Sequence, residues 1–98
     1  MNNYILDENG NPVLEPDLVK WCRWYQTAKR HVADDKIGDV RVSTVFLGID
    51  HAFVGGEPIL WETMVFGGPL DQEQDRYHTR EVAVAGHNAM LQRVQEAA

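Results

Sequence analysis

The chain is short of positive charge: nine Lys and Arg stand against fifteen Asp and Glu, a net charge of −6 at pH 7. Binding DNA through its phosphates needs a basic stripe, so this balance argues against a nucleic-acid partner. The carboxylates are interleaved with Lys and Arg, which fits a solvated surface better than a mimic of DNA. There is one cysteine, Cys22, so no internal disulfide can form; a reducing, cytoplasmic setting follows, with Cys22 expected as a small core residue. No apolar run approaches the ~20 residues that span a bilayer. The N-terminal Met-Asn-Asn-Tyr lacks the basic start of a secretion signal. Metal motifs are missing as well. His31, His51, His78 and His87 are not spaced four apart, and no Cys-x-x-Cys occurs, so no metal or cofactor is expected. Gly67-Gly68-Pro69 is not followed by the Lys and Ser/Thr of a phosphate-binding loop, and Ser43 has no nucleophile elbow, so no catalytic residue is assigned.

What remains is a composition of 44% hydrophobic and 24% charged residues in 98, which suits one soluble globular domain, residues 1–98. "YILDENGNPVL" (4–14) has two short apolar arms around Asn9-Gly10, a hairpin signal, and Pro12 confines the second arm to an edge. "EPDLVKWCRWYQTAKRHVADD" (15–35) reads as a helix. Pro16 suits its first position, and Leu18, Trp21, Cys22, Tyr25, Ala28 and Val32 form its apolar stripe. Trp24 sits at the edge of that stripe, as core margin or contact surface. "DDKIGDV" (34–40) is expected as a turn. Residues 41–50 and 59–66 read as two strands joined by the loop "HAFVGGEP". "RYH" (76–78) adds a short strand, and Thr79 caps a final helix that buries Ala83, His87, Met90, Leu91 and Val94. The fold class is α+β: a small antiparallel sheet with an N-terminal hairpin and two amphipathic helices packed on it.

A symmetric hairpin about Gly55 pairs residues whose numbers sum to about 110. One face would then hold Val42, Phe46, Leu60, Met64 and Phe66 with Asp50 and Glu62. The other would hold Val45, Leu47, Ile49, Ile59, Trp61 and Val65 with His51 and Thr63. Both faces are apolar, and a sheet with one wet face should alternate. The helices cover one face, so a homo-oligomer is expected to cover the other.

Glu62 inside "LWETMVF" is the odd residue, since a carboxylate among apolar neighbours needs a donor; Arg76, Arg41, Tyr77 and His87 are the candidates. Three readings compete for Asp50, His51 and Glu62: a structural polar network, a small-ligand site beside aromatic walls, and a small hydrolase. Adjacent strand residues point to opposite faces, so Asp50 and His51 do not form a catalytic dyad without a bulge. His51 and His87 are expected as interface or structural polar residues.

"VSTVFLGIDH", "ETMVFGG" and "RYHTREVAVAGHNAM" together resemble a family of small, largely uncharacterised proteins of tailed bacteriophages and prophages. The resemblance runs over roughly residues 30–95. It implies a phage accessory protein acting in the cytoplasm of a bacterial host, and proteins of that kind commonly counter host defences. The expected function is a homo-oligomer that sequesters a nucleotide-derived immune signal without turnover. Tyr77, Trp61 or Trp24 would stack on a base, Arg76 would meet phosphate, and Asp50 or Glu62 would take hydroxyls or base N–H groups. A protein-binding inhibitor of a host defence protein is the alternative.

Overall fold

The computed structural model describes residues 2–52 and 55–97; positions 53 and 54 of the expected loop lie outside them. A two-stranded ribbon comes first, β1 (Tyr4–Leu6) with β2 (Pro12–Leu14), pairing Tyr4 with Leu14. The Asp7 side chain accepts from the Asn9 and Asn11 N–H groups, and Gly10 takes φ +81°, which closes the tip. Helix α1 (Leu18–Thr27) follows. Asp17, not Pro16, marks its start, its carboxylate accepting from Val19 N and Lys20 N.

The expected long helix stops at Thr27. Ala28 is already extended, and His31–Ile37 is a strand, β3, paired with β4 (Val40–Phe46) through a two-residue Gly38-Asp39 turn. The physical reason is non-local. Pairing with β4 satisfies the backbone of residues whose side-chain spacing also suits a helix, and tertiary context overrides propensity. The overlooked signal was Gly-Asp between "DDKI" and "VRVS", a hairpin dipeptide whose first residue sits at φ +59°.

Strands β5 (Trp61–Phe66) and β6 (Gln74–Tyr77) complete an antiparallel meander in the order β3-β4-β5-β6. Helix α2 (Arg80–Ala97) returns across all four strands, with Thr79 as its cap as expected. The register differs from the symmetric one. Val42 pairs with Val65 and Phe46 with Trp61, so paired numbers sum to 107. An odd offset flips one strand relative to the other. The core face now carries Val42, Thr44 and Phe46 beside Trp61, Thr63 and Val65, all buried under α2. The opposite face carries Arg41, Ser43 and Val45 beside Glu62, Met64 and Phe66.

Two apolar clusters hold the layers together. Val42, Val65, Met90 and Val94 form one; Phe46, Leu60, Trp61, Tyr77 and Ala83 form the other, sealed by Tyr4, Leu6, Trp24 and Val32 from the ribbon, α1 and β3. Helix α1 thus does not lie on the second face. It leans on the end of the sheet through Trp24, edge-on to Phe46 at 5.9 Å, and through the Trp21 indole N–H, which donates to the Tyr4 and Gly48 carbonyls. Cys22, placed in the core by its helical spacing, is exposed on the outer side of α1. No helix among the described residues is long and apolar enough to cross a membrane.

Candidate functional site

The largest constellation of polar side chains runs through the core. His87 on α2 binds the Asp35 carboxylate with Nε2 (2.8 Å) and the Thr44 hydroxyl with Nδ1 (2.7 Å). Thr44 meets Thr63 in a short hydrogen bond, and the Tyr77 hydroxyl donates to Thr63 at 2.9 Å. Each hydroxyl has one hydrogen to give. In the neutral tautomer that carries its hydrogen on Nε2, Nε2–H donates to Asp35, Nδ1 accepts from Thr44, Thr44 accepts from Thr63, and Thr63 accepts from Tyr77. Burial pushes the Tyr77 phenol above its ordinary range, the Thr63 hydrogen bond opposing and Asp75 assisting.

Asp, His and Thr in this order suggest an acid–base–nucleophile relay. Thr44 has 0% of its surface exposed, so no substrate reaches its hydroxyl. The relay is a network buried from Tyr77 to His87 and open to solvent at Asp35, and it ties β3, β4, β5 and β6 to α2. It also explains Gly86. A Cβ there would overlap the Tyr77 ring, so the helix backbone and the phenol pack directly.

The residues expected to form one ligand site are divided by strand alternation, which sends neighbours such as Trp61 and Glu62 to opposite faces. Trp61 and Tyr77 are cross-strand partners on the core face, and Glu62 and Arg76 are partners on the opposite face. Arg76 is the donor that Glu62 required, Nε to Oε2 at 2.8 Å. On that second face Arg41 pairs with Asp34 through both oxygens, which holds the Asp34 carboxyl below its usual range. Tyr77 is buried with its hydroxyl committed to Thr63, and Trp24 is spent on Phe46, so neither presents a ring to a base. Trp61 is 2% exposed and offers only an edge. Asp50 is a loop brace. Its Oδ1 accepts from the N–H groups of Ala52 and Ile59, which hold its carboxyl below the ordinary range. His51 is half-buried, and its backbone N–H donates to the Ile59 carbonyl. Among the described residues no group of three or more His, Cys, Asp or Glu is placed to hold a metal ion.

Sequence reasoning missed the concave surface that the fold creates. A cleft of about 640 Å³ opens between the ribbon tip, Glu8 to Pro12, and the segment His78 to Glu81 that leads into α2, with Trp61 also in its lining. A smaller cleft of about 170 Å³ shares Gly10, Trp61 and Arg80 with it and adds Lys29, Arg30 and His31. Together they make a groove with a cationic end and an end of Asn, Thr and Glu side chains. Arg30 is held in place there, stacked 4.1 Å over the Tyr25 ring and donating to the Phe46 carbonyl at 3.0 Å. No periodicity reveals this groove, because its residues come from four separate segments. Comparison with protein families, curated proteins and solved structures found no match to the chain.

Proposed function

We propose that the chain is a phage accessory protein that acts in the host cytoplasm and sequesters a small nucleotide-derived signal in the Trp61 groove, without turning it over. One observation carries this reading. Lys29, Arg30 and Arg80, three of only nine Lys and Arg in an acidic chain, line the same end of a groove of ligand size. Phosphate would lie at that end, where the guanidinium of Arg30 is already oriented. Asn9, Asn11 and Glu81 at the other end would take ribose hydroxyls and base N–H groups, with Trp61 beside them. Sequestration in place of turnover fits the Thr44 hydroxyl of the relay, which is out of reach of any substrate.

The test is thermal shift and calorimetry against cyclic dinucleotides, ADP-ribose-type compounds and mononucleotides. A ligand at 100 times its Kd stabilises the fold by about 2.7 kcal/mol. The expected result is such a shift with one class, weakened by salt, and abolished by Arg80→Glu without a change in the ligand-free melting temperature. No shift with any nucleotide, or binding that survives Arg80→Glu, refutes the site. Chromatography of the incubated ligands tests turnover, and a product would revive the hydrolase reading.

The protein-binding alternative rests on a different surface. Val45, Met64 and Phe66 lie on the sheet face that neither helix covers, between the Asp34–Arg41 and Glu62–Arg76 pairs. An inhibitor of a host defence protein would use this face, and Trp24 would have no part in it.

A further inference from the structure

Among the described residues, four of the seven large hydrophobic side chains that stand exposed fall within seven consecutive positions: Val13, Leu14, Leu18 and Val19. Leu18 is 61% exposed, and α1 has no fully buried residue at all. The ribbon ahead of it has three residues per strand, and a two-stranded ribbon alone is marginal in water. We infer that this patch is the interface of a two-fold dimer, in which β2 pairs antiparallel with β2 of a second copy, centred on Leu14.

The ribbon's hydrogen bonds set that centre. Asp7 N–H donates to the Asn11 carbonyl and Glu15 N–H to the Asn3 carbonyl, so alternation makes Ile5 and Val13 the bonded pair between them. Pro12 and Leu14 therefore turn their main-chain groups outward. On β1 the same alternation sends Tyr4 N–H outward, where it already donates to Gly48. On β2 the only outward N–H is that of Leu14, because proline has none. A two-fold axis at Leu14 sets Leu14 against its own copy, with two reciprocal hydrogen bonds, and sets Pro12 opposite Pro16. The two prolines end the pairing on both sides, so it closes as a dimer and does not grow into an open sheet.

The edges of the four-stranded sheet are poorer candidates: β3 is interrupted by a bulge between His31 and Ala33 and carries three charges, and two of the four residues of β6, Asp75 and Arg76, are charged. The pairing would also steady the groove wall from Glu8 to Pro12, although it does not depend on any ligand.

Sedimentation velocity over the micromolar range tests the inference. The wild type should sediment as a dimer that dissociates on dilution, and Leu14→Lys/Leu18→Glu should be monomeric with an unchanged circular dichroism spectrum. Met64→Lys, on the open sheet face, should remain dimeric. A wild-type monomer at every concentration, a dimer that survives the double substitution, or one that Met64→Lys dissociates would each overturn it. Because no ligand is present, this outcome is independent of the thermal-shift result.

Discussion

Gly86→Ala is the substitution on which helix propensity and tertiary packing disagree in sign. In the interior of a helix, Ala is about 1 kcal/mol better than Gly. Gly86 lies inside α2 with no left-handed backbone to protect, so propensity alone predicts a stabilised protein. The packing predicts the reverse. The new methyl would overlap Oη, Cζ and Cε1 of Tyr77, a ring buried in the core. Overpacking costs about 1–3 kcal/mol. If the ring moves, Thr63 loses a donor inside the core, at a further 1–3 kcal/mol or so. Less the propensity gain, the net loss is about 1–5 kcal/mol. At 4–8 °C per kcal/mol for a chain of this size, melting should fall by about 10 °C or more near the middle of that range. Chemical denaturation of Gly86→Ala, Tyr77→Leu and the double variant separates the effects. In the Tyr77→Leu background the clash is relieved, so Gly86→Ala should become neutral or stabilising. A stabilised Gly86→Ala in the wild-type background would refute the direct packing of phenol on helix.

Two further outcomes follow from the titrating groups. The Asp50 carboxyl is held below its ordinary range, so the stability it contributes is present above the unfolded value of about 3.9 and is lost as pH falls through the folded value. Asp50→Ala should therefore lower the melting temperature at neutral pH and remove part of the acid dependence. Asp50→Asn keeps an acceptor oxygen for Ala52 and Ile59 and should have the smaller effect; equal melting of all three proteins would show that the brace carries no load. Tyr77 is raised, so its contribution is complete below about pH 10 and is lost as pH climbs through its folded value. Ultraviolet titration should show one of the three tyrosines ionising late, and Tyr77→Phe should remove that late step.

Several features were legible in the chain because they depend on neighbours in sequence. The stripe Ala83, His87, Met90 and Val94 is buried as its spacing requires, and Thr79 caps that helix. Asn9-Gly10 lies in a ribbon turn, Pro12 is on an edge strand, and Glu62 found Arg76 among its expected donors. Each rests on a local period, a turn residue or the cost of a bare charge.

Register and state at a distance were decided only by the tertiary structure. Alternation says which residues of one strand share a face, but not which strand faces go together; a shift from 110 to 107 in the paired sum moved Glu62 from Gly48 to Val45 and Thr63 from Leu47 to Thr44. Strand alternation in any register separates Trp61 from Glu62 and Arg76 from Tyr77; the shift is what set Thr44 against Thr63 and so brought Thr44, Thr63 and His87 into one buried chain. Residues 31–37 became a strand because β4 was there to pair with them, and Cys22 stayed outside because α1 rests on the sheet end by Trp21, Trp24 and Tyr25. Short-range pattern sets the helices and turns. The side on which each polar residue ends is set by hydrogen bonds between strands far apart in the chain, and the groove exists only once four such segments have met.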